Sequence, residues 1–171
     1  MTKICVSKDL KNVLASHNID VKDYTPAYNG ESAGLDLYNC GDNYSITPTS
    51  YRNVTIDDQY NKKKFKVLIP TGIKLSVPKG YVALIQERGS ITKTPLKVRA
   101  GVIDSGYTGE VFVNCINTGA KEHMLKFGEK LPFQIVVVKC DNEFHVVSKE
   151  EYLELTTSAQ RQEGQVGSSD R

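Results

Sequence analysis

Residues 100–111 read Ala100-Gly101-Val102-Ile103-Asp104-Ser105-Gly106-Tyr107-Thr108-Gly109-Glu110-Val111. Val102 and Ile103 read as the end of a strand, Ser105 and Gly106 as a tight turn, and apolar residues resume at Val111. The stretch therefore predicts a hairpin. Asp104 and Tyr107 stand three residues apart at its mouth. That arrangement suits a small pocket with a rigid backbone edge, an aromatic wall and one carboxylate within reach. Asp and Gly are common in turns, so the hairpin taken alone reads equally well as a surface turn.

The pattern on either side is one of short strands. Lys66-Val67-Leu68-Ile69 stops at Pro70-Thr71-Gly72, and Ile73–Val77 alternates before Pro78-Lys79-Gly80. Tyr81–Ile85 follows at once, as in a meander. Val111–Ile116 ends at Asn117-Thr118-Gly119, and Ile135–Val138 is a continuous apolar run, the mark of a strand buried on both faces. Together these predict an all-β sandwich or barrel. Leu10, Val13 and Leu14 recur at helical spacing within Lys8–Val21, so at most one short helix is expected. The polar stretch Asn43–Lys64 reads as a solvated excursion outside the site. Beyond Leu155 the chain is poor in apolar residues and rich in Gln, Ser and Gly, and cannot fold by itself. The expected organisation is one domain, residues 1–155, and a flexible arm, residues 156–171.

At 171 residues, with 39% apolar and 25% charged residues, the chain can bury a real core as one soluble domain. A net charge of +2 gives no electrostatic case for nucleic acid, and no apolar run spans a bilayer. The first residues, Met1–Val6, lack a signal-peptide core. Cys5, Cys40, Cys115 and Cys140 are far apart and not at metal-ligand spacing; they read as buried thiols in a reducing compartment.

Four further stretches accompany the hairpin: Ala33-Gly34-Leu35-Asp36-Leu37-Tyr38, Glu87-Arg88-Gly89-Ser90-Ile91, Gly128–Ile135 and Arg161–Ser169. In this order they resemble the five motifs of the trimeric deoxyuridine triphosphatases (dUTPases). The resemblance implies a distorted jelly-roll β-barrel and hydrolysis of dUTP to dUMP and pyrophosphate by water attack on the α-phosphorus. It also implies Mg²⁺ carried by substrate phosphates and water without a direct protein ligand, and a homotrimer with its sites between subunits. A cytoplasmic location follows, the host cytoplasm if the chain is of phage or viral origin, which its departures from the motifs suit. No nucleic-acid or membrane partner is expected.

The same resemblance assigns roles. Asp104 takes a proton from the attacking water, work suited to a positioned carboxylate. Tyr107 packs on the deoxyribose and leaves no room for a 2′-hydroxyl, while the backbone near Gly101 and Ile103 reads the uracil. Arg88, Gly89 and Ser90 clamp phosphates; Gly89 replaces the serine that usually follows the arginine, and its amide still donates. Asp36 supports the arginines. Gln134, which contacts the water or the α-phosphate, comes one residue late in its motif. Either a bulge absorbs the extra residue, which Pro132 favours, or Phe133 takes its place. Arg161 contacts the γ-phosphate, Gly167 and Ser168 donate to phosphates, and Val166 stands where the family has a phenylalanine over the base. Two other readings remain: a dCTP deaminase of the same fold, and a nucleotide-binding regulatory trimer. The deaminase needs a glutamate on the strand after the hairpin; Val111–Cys115 has none, and Glu110 comes too early.

Overall fold

The short strands assemble into two four-stranded antiparallel sheets in a computed structural model that describes residues 1–28, 30–48, 67–141 and 143–157. The first sheet has the order β1 (Lys3–Val6), β4 (Val67–Ser76), β8 (Glu110–Asn117), β6 (Leu96–Val98). The second runs β2 (Gly34–Tyr38), β10 (Lys130–Lys139), β5 (Tyr81–Glu87), β7 (Val102–Ile103). A two-stranded ladder joins β3 (Tyr44–Ile46) to β9 (His123–Leu125). The all-β expectation holds for this part of the chain.

The chain divides into two compact units, Met1–Asp141 and Asn142–Arg171. Helix α1 (Lys8–Ser16) lies in the first, capped by Ser7, whose hydroxyl accepts from the Leu10 amide at 3.1 Å. It buries Leu10, Val13 and Leu14, the three residues whose spacing announced it. The second unit holds another short helix, α2 (Lys149–Thr156), one more than the sequence predicted. Its residues have a weak apolar pattern, and a Ser148 cap with Glu150 and Glu151 in the first turn stabilises it. Residue 156, the expected start of the arm, is the last of this helix.

Alternation fills the core. Ile69, Ile73 and Leu75 of β4, Val111, Val113 and Cys115 of β8, and Leu131, Phe133 and Ile135 of β10 are all buried. Pro70-Thr71-Gly72, expected to end a strand, instead lies inside β4. Between Pro70 and Lys74 the register with β8 shifts, so four steps along β4 match two along β8. The irregularity is held from several sides. Thr71 Oγ1 donates to the Val111 carbonyl at 2.7 Å, the Gly72 amide donates to Glu110 Oε1 at 2.9 Å, and the Gly72 carbonyl accepts from Ser7 at 2.7 Å. Gly72 has φ +68°, and a Cβ there would stand 2.5 Å from Ser7 Oγ. The expected meander is also corrected: β4 and β5 are consecutive yet belong to different sheets, so the Pro78–Gly80 turn crosses between layers.

Three further expectations change. Cys5 is exposed because β1 is an edge strand; Cys115 is buried, and Cys40 and Cys140 are half-buried. Burial pushes the Cys40 and Cys115 thiols up to about 12, so neither is a ready thiolate. Val136, Val137 and Val138 are half-buried, so β10 is not covered on both faces within this chain. The excursion predicted from Asn43 begins as packed structure: Ile46 is buried, and Asn43 Oδ1 accepts from the Phe127 amide at 2.8 Å. Residues 49–66 lie outside the described residues.

Asn39 is fully buried and clips two loops together: its Nδ2 donates to the carbonyls of Asp42 and Lys126 at 2.9 Å, and its Oδ1 accepts from the Gly41 amide at 2.9 Å. Asn39→Ala strands those groups and is expected to cost about 2–4 kcal/mol. A urea melt of the variant tests this; an unchanged midpoint would show that the loops do not depend on the clip.

Candidate active site

The site begins where a hairpin splits. Strands β6 and β8 pair through Leu96↔Asn117, Lys97↔Ile116 and Val98↔Cys115, and the Arg99 amide donates to Asn114 at 2.7 Å. At Ala100 the chain adopts φ +52°, an unfavourable conformation for a residue with a Cβ, and leaves the first sheet. It joins the second sheet as β7, pairing Val102↔Leu84 and Ile103↔Ala83. The Gly101 carbonyl accepts from the Ile85 amide at 2.8 Å, and a Cβ on Gly101 would come within 2.7 Å of the Ile85 carbonyl oxygen. The chain then turns, with the Tyr107 amide donating to the Asp104 carbonyl at 3.1 Å, and returns to the first sheet as β8. The predicted continuous hairpin is therefore paired at its base and splayed at its tip.

Between the splayed arms lies a cavity of about 260 Å³, lined by Ile85, Val102, Ile103, Asp104, Tyr107 and Phe112, among others. Asp104 is exposed at this cavity, and Tyr107 is 42% exposed. The Tyr107 hydroxyl donates to the Glu110 carbonyl at 2.7 Å. The Glu110 carboxylate, also at the cavity, holds the Gly72 amide.

A second group gathers at the far end of β5. Asp36 on β2 stands opposite Gln134 on β10. Its Oδ1 lies 2.5 Å from Arg88 Nε, and its Oδ2 lies 2.5 Å from Lys130 Nζ. Arg88 Nη1 also donates to the Leu131 carbonyl at 3.3 Å and to Ser90 Oγ at 3.4 Å, and the exposed Gly89 and Ser90 open a 3₁₀ turn, Gly89–Lys93. The Tyr24 hydroxyl donates to the Asp36 carbonyl; burial, then the neighbouring Tyr38, raise this phenol far above its usual range and keep its proton on. Gln134 Nε2 donates to the Glu87 carbonyl at 3.3 Å, and its side chain lies over Gly34, where a Cβ would come 2.5 Å from Oε1. Four steps of β10 match two of β2 between Lys130 and Gln134. A register shift thus falls within the stretch where the sequence has one residue too many. Sequence reasoning passed over Lys130; its only signal was a basic residue following Gly128 and Glu129.

The structure does not bring the two groups together. Ile103 pairs with Ala83, so Asp104 stands beside Val82, whereas Arg88 follows the last residue of β5. Those points are six residue steps apart, or about 20 Å of extended strand. Arg161, Val166, Gly167 and Ser168 lie outside the described residues. Among the described residues no group of three or more His, Cys, Asp or Glu gathers to hold a metal, and both oxygens of Asp36 are engaged by cations. Among the same residues no helix is long and apolar enough to cross a membrane.

Comparison with known proteins gives a consistent picture. Residues 51–170 match the dUTPase family model. A deoxyuridine 5′-triphosphate nucleotidohydrolase of Dictyoglomus turgidum is 35% identical over 146 residues, covering 81% of this chain and 84% of that protein. Among solved structures, the dUTPase of equine infectious anaemia virus superposes with a TM-score of 0.60 at 22% identity, covering 88% of this chain and 98% of the other. A dUTPase from phage phi11 of S. aureus gives 0.62 at 18% identity, covering 87% and 97%. These likenesses identify the two-sheet architecture as the jelly-roll-type dUTPase fold.

Gly101→Ala tests the seam between β7 and β5. Its methyl must displace the Ile85 carbonyl, so the variant is expected to lose about 1–3 kcal/mol of stability. Thermal melts check this, and an unshifted Tm would show that the seam tolerates a Cβ.

Proposed function

The chain belongs to the dUTPase family and hydrolyses dUTP, and we propose that it does so in composite sites, the Asp104 group of one subunit facing the Arg88 group of another in a homotrimer. What supports this reading is the register along β5, which sets the backbone positions carrying the two groups six residue steps apart, about 20 Å of extended strand that pairing keeps from shortening. Closed cyclic symmetry then lets each chain give one half to each of two sites.

In such a site the uracil enters the slot between the splayed arms. Its ring carries one N–H between two carbonyls, and the strand edge at Gly101–Ile103 offers complementary backbone groups. Gly101, held against Ile85, gives that edge a fixed position. Asp104 lies at the open end of the slot, where it accepts a proton from the water that attacks the α-phosphorus, and pyrophosphate leaves. The other subunit supplies Arg88, with the Gly89 amide and Ser90 hydroxyl, to the phosphate oxygens. Asp36 aims Arg88 and is balanced in turn by Lys130, so two cations face one carboxylate and the cluster keeps excess positive charge for a polyanion. Gln134, beside Asp36, is within the same cluster and contacts the water or the α-phosphate.

The phage phi11 relative is described with a structural Mg(II) ion. Here Mg²⁺ would arrive with the triphosphate and its water and would offset phosphate charge. The arm then completes the site: Arg161, Gly167 and Ser168 close on the phosphates, and Val166 covers the base less fully than a ring would. A deaminase reading finds no support, since Val111–Cys115 carries no glutamate. The chain acts in the cytoplasm, on dUTP and not on nucleic acid or membrane.

Two outcomes test this. Asp104→Asn should bind dUTP nearly as before and lose roughly two to four orders of magnitude in turnover, the usual worth of a general base; native turnover would remove Asp104 from that role. Mixing Asp104→Asn with Arg88→Ala chains, each nearly inactive, should restore activity after subunit exchange, to about a quarter of the native level for random closed trimers. No recovery in trimers shown by mass to be mixed would mean that each site is built from one chain.

A further inference from the structure

Tyr107 is held in an unusual way for an exposed aromatic. Its ring lies back across its own turn, and its hydroxyl donates to the carbonyl of Glu110, three residues on, at 2.7 Å. Under the ring is Gly109. A Cβ built there would lie 2.5 Å from the Tyr107 oxygen, 2.7 Å from Cζ and 3.1 Å from Cε2, so the ring occupies the space that any other residue would fill. Gly109 is not among the described glycines with positive φ. What this position requires is therefore room, not left-handed backbone. The ring is 42% exposed, so core packing does not fix it; the tether and the bare Cα do. Their own foundation is firm, because Glu110 opens β8, pairs with Lys74 and binds the Gly72 amide through its carboxylate. The opposite wall of the slot, Gly101–Ile103, is fixed to β5 in the other sheet.

We propose that Gly109 and the Glu110 carbonyl are specificity-determining, setting discrimination between deoxyribose and ribose by fixing where the Tyr107 ring stands. This rests on the reading that Tyr107 faces the sugar. A steric wall excludes a hydroxyl only if it cannot yield. A ring free to turn about its two side-chain torsions would move aside at little cost, whereas a ring pinned at its far end and seated on backbone cannot. The wall is built from residues 107–110 alone, so each chain carries its own sugar gate even where phosphate groups come from another subunit.

The test measures kcat and KM for dUTP and for UTP with the full chain and three variants. Tyr107→Phe keeps the ring and removes the tether; the dUTP/UTP ratio of kcat/KM should fall about three- to tenfold, the range set by one hydrogen bond. Gly109→Ala unseats the ring and should lower the ratio at least as far. In both, the change should come mainly from a lower KM for UTP, an outcome that a general loss of structure would not produce. Tyr107→Ala removes the wall and should collapse the ratio. If Tyr107→Ala leaves the ratio native, the ring does not face the sugar and the underlying reading fails. If it collapses the ratio while Tyr107→Phe or a folded Gly109→Ala keeps the native value, the reading stands and this inference is overturned. Should Gly109→Ala not fold, Tyr107→Phe alone decides.

Discussion

A strand hydrogen-bonded on both sides has a fixed length, and β5 is such a strand. β10 ladders along it from Tyr81 to Glu87, and β7 pairs with it at Ala83 and Leu84. Each ladder bond holds the rise per residue near its extended value. Asp104 is tied to one end of this ruler and Arg88 to the other. The backbone positions that carry them stand about 20 Å of extended strand apart. The rigidity that positions each group is also what keeps them apart.

The two sheets are coupled through departures from regular structure. The chain leaves the first sheet at Ala100, with φ +52°, and the register of β4 slips around Gly72, with φ +68°. Glu110 joins the slip in β4 to the turn at Tyr107: its carboxylate holds the Gly72 amide, and its carbonyl holds the Tyr107 hydroxyl. Unfavourable backbone conformations persist where surrounding bonds over-determine them, and they gather at functional sites. The cost at Ala100 opens the hairpin; a relaxed hairpin would pair along its whole length and leave no slot.

Much of this was legible in the sequence, and the limits have a physical cause. Alternation identified the strands, and the spacing of Leu10, Val13 and Leu14 identified α1, because side-chain period is a local property. The resemblance implied that Asp36 supports the arginines; its carboxylate pairs with Arg88, and with Lys130 as well. Which strand pairs with which was not legible. Pro70-Thr71-Gly72 carries every local mark of a turn, yet it continues a strand because Val111, Glu110 and Ser7 supply its bonds from elsewhere. Cys5 looks apolar in sequence but sits on an edge strand. Lys130 has no pattern of its own and gains meaning only across the ladder from β2. The arm residues Arg161 to Ser168 rest on the motif alone.

The order of strands in the second sheet bears on how the protein is made. β2 and β5 do not touch as neighbours; they are joined only through β10. Asp36 therefore waits about a hundred residues for Gln134 before its ladder can form, a separation that slows folding. Until synthesis passes residue 130, Leu35 and Leu37 leave the ribosome as a strand with no edge to join. A chain halted before that point carries the Asp36 motif, Arg88 and the entire slot around Asp104, yet its second sheet is reduced to the β5–β7 pair, with β2 left unjoined.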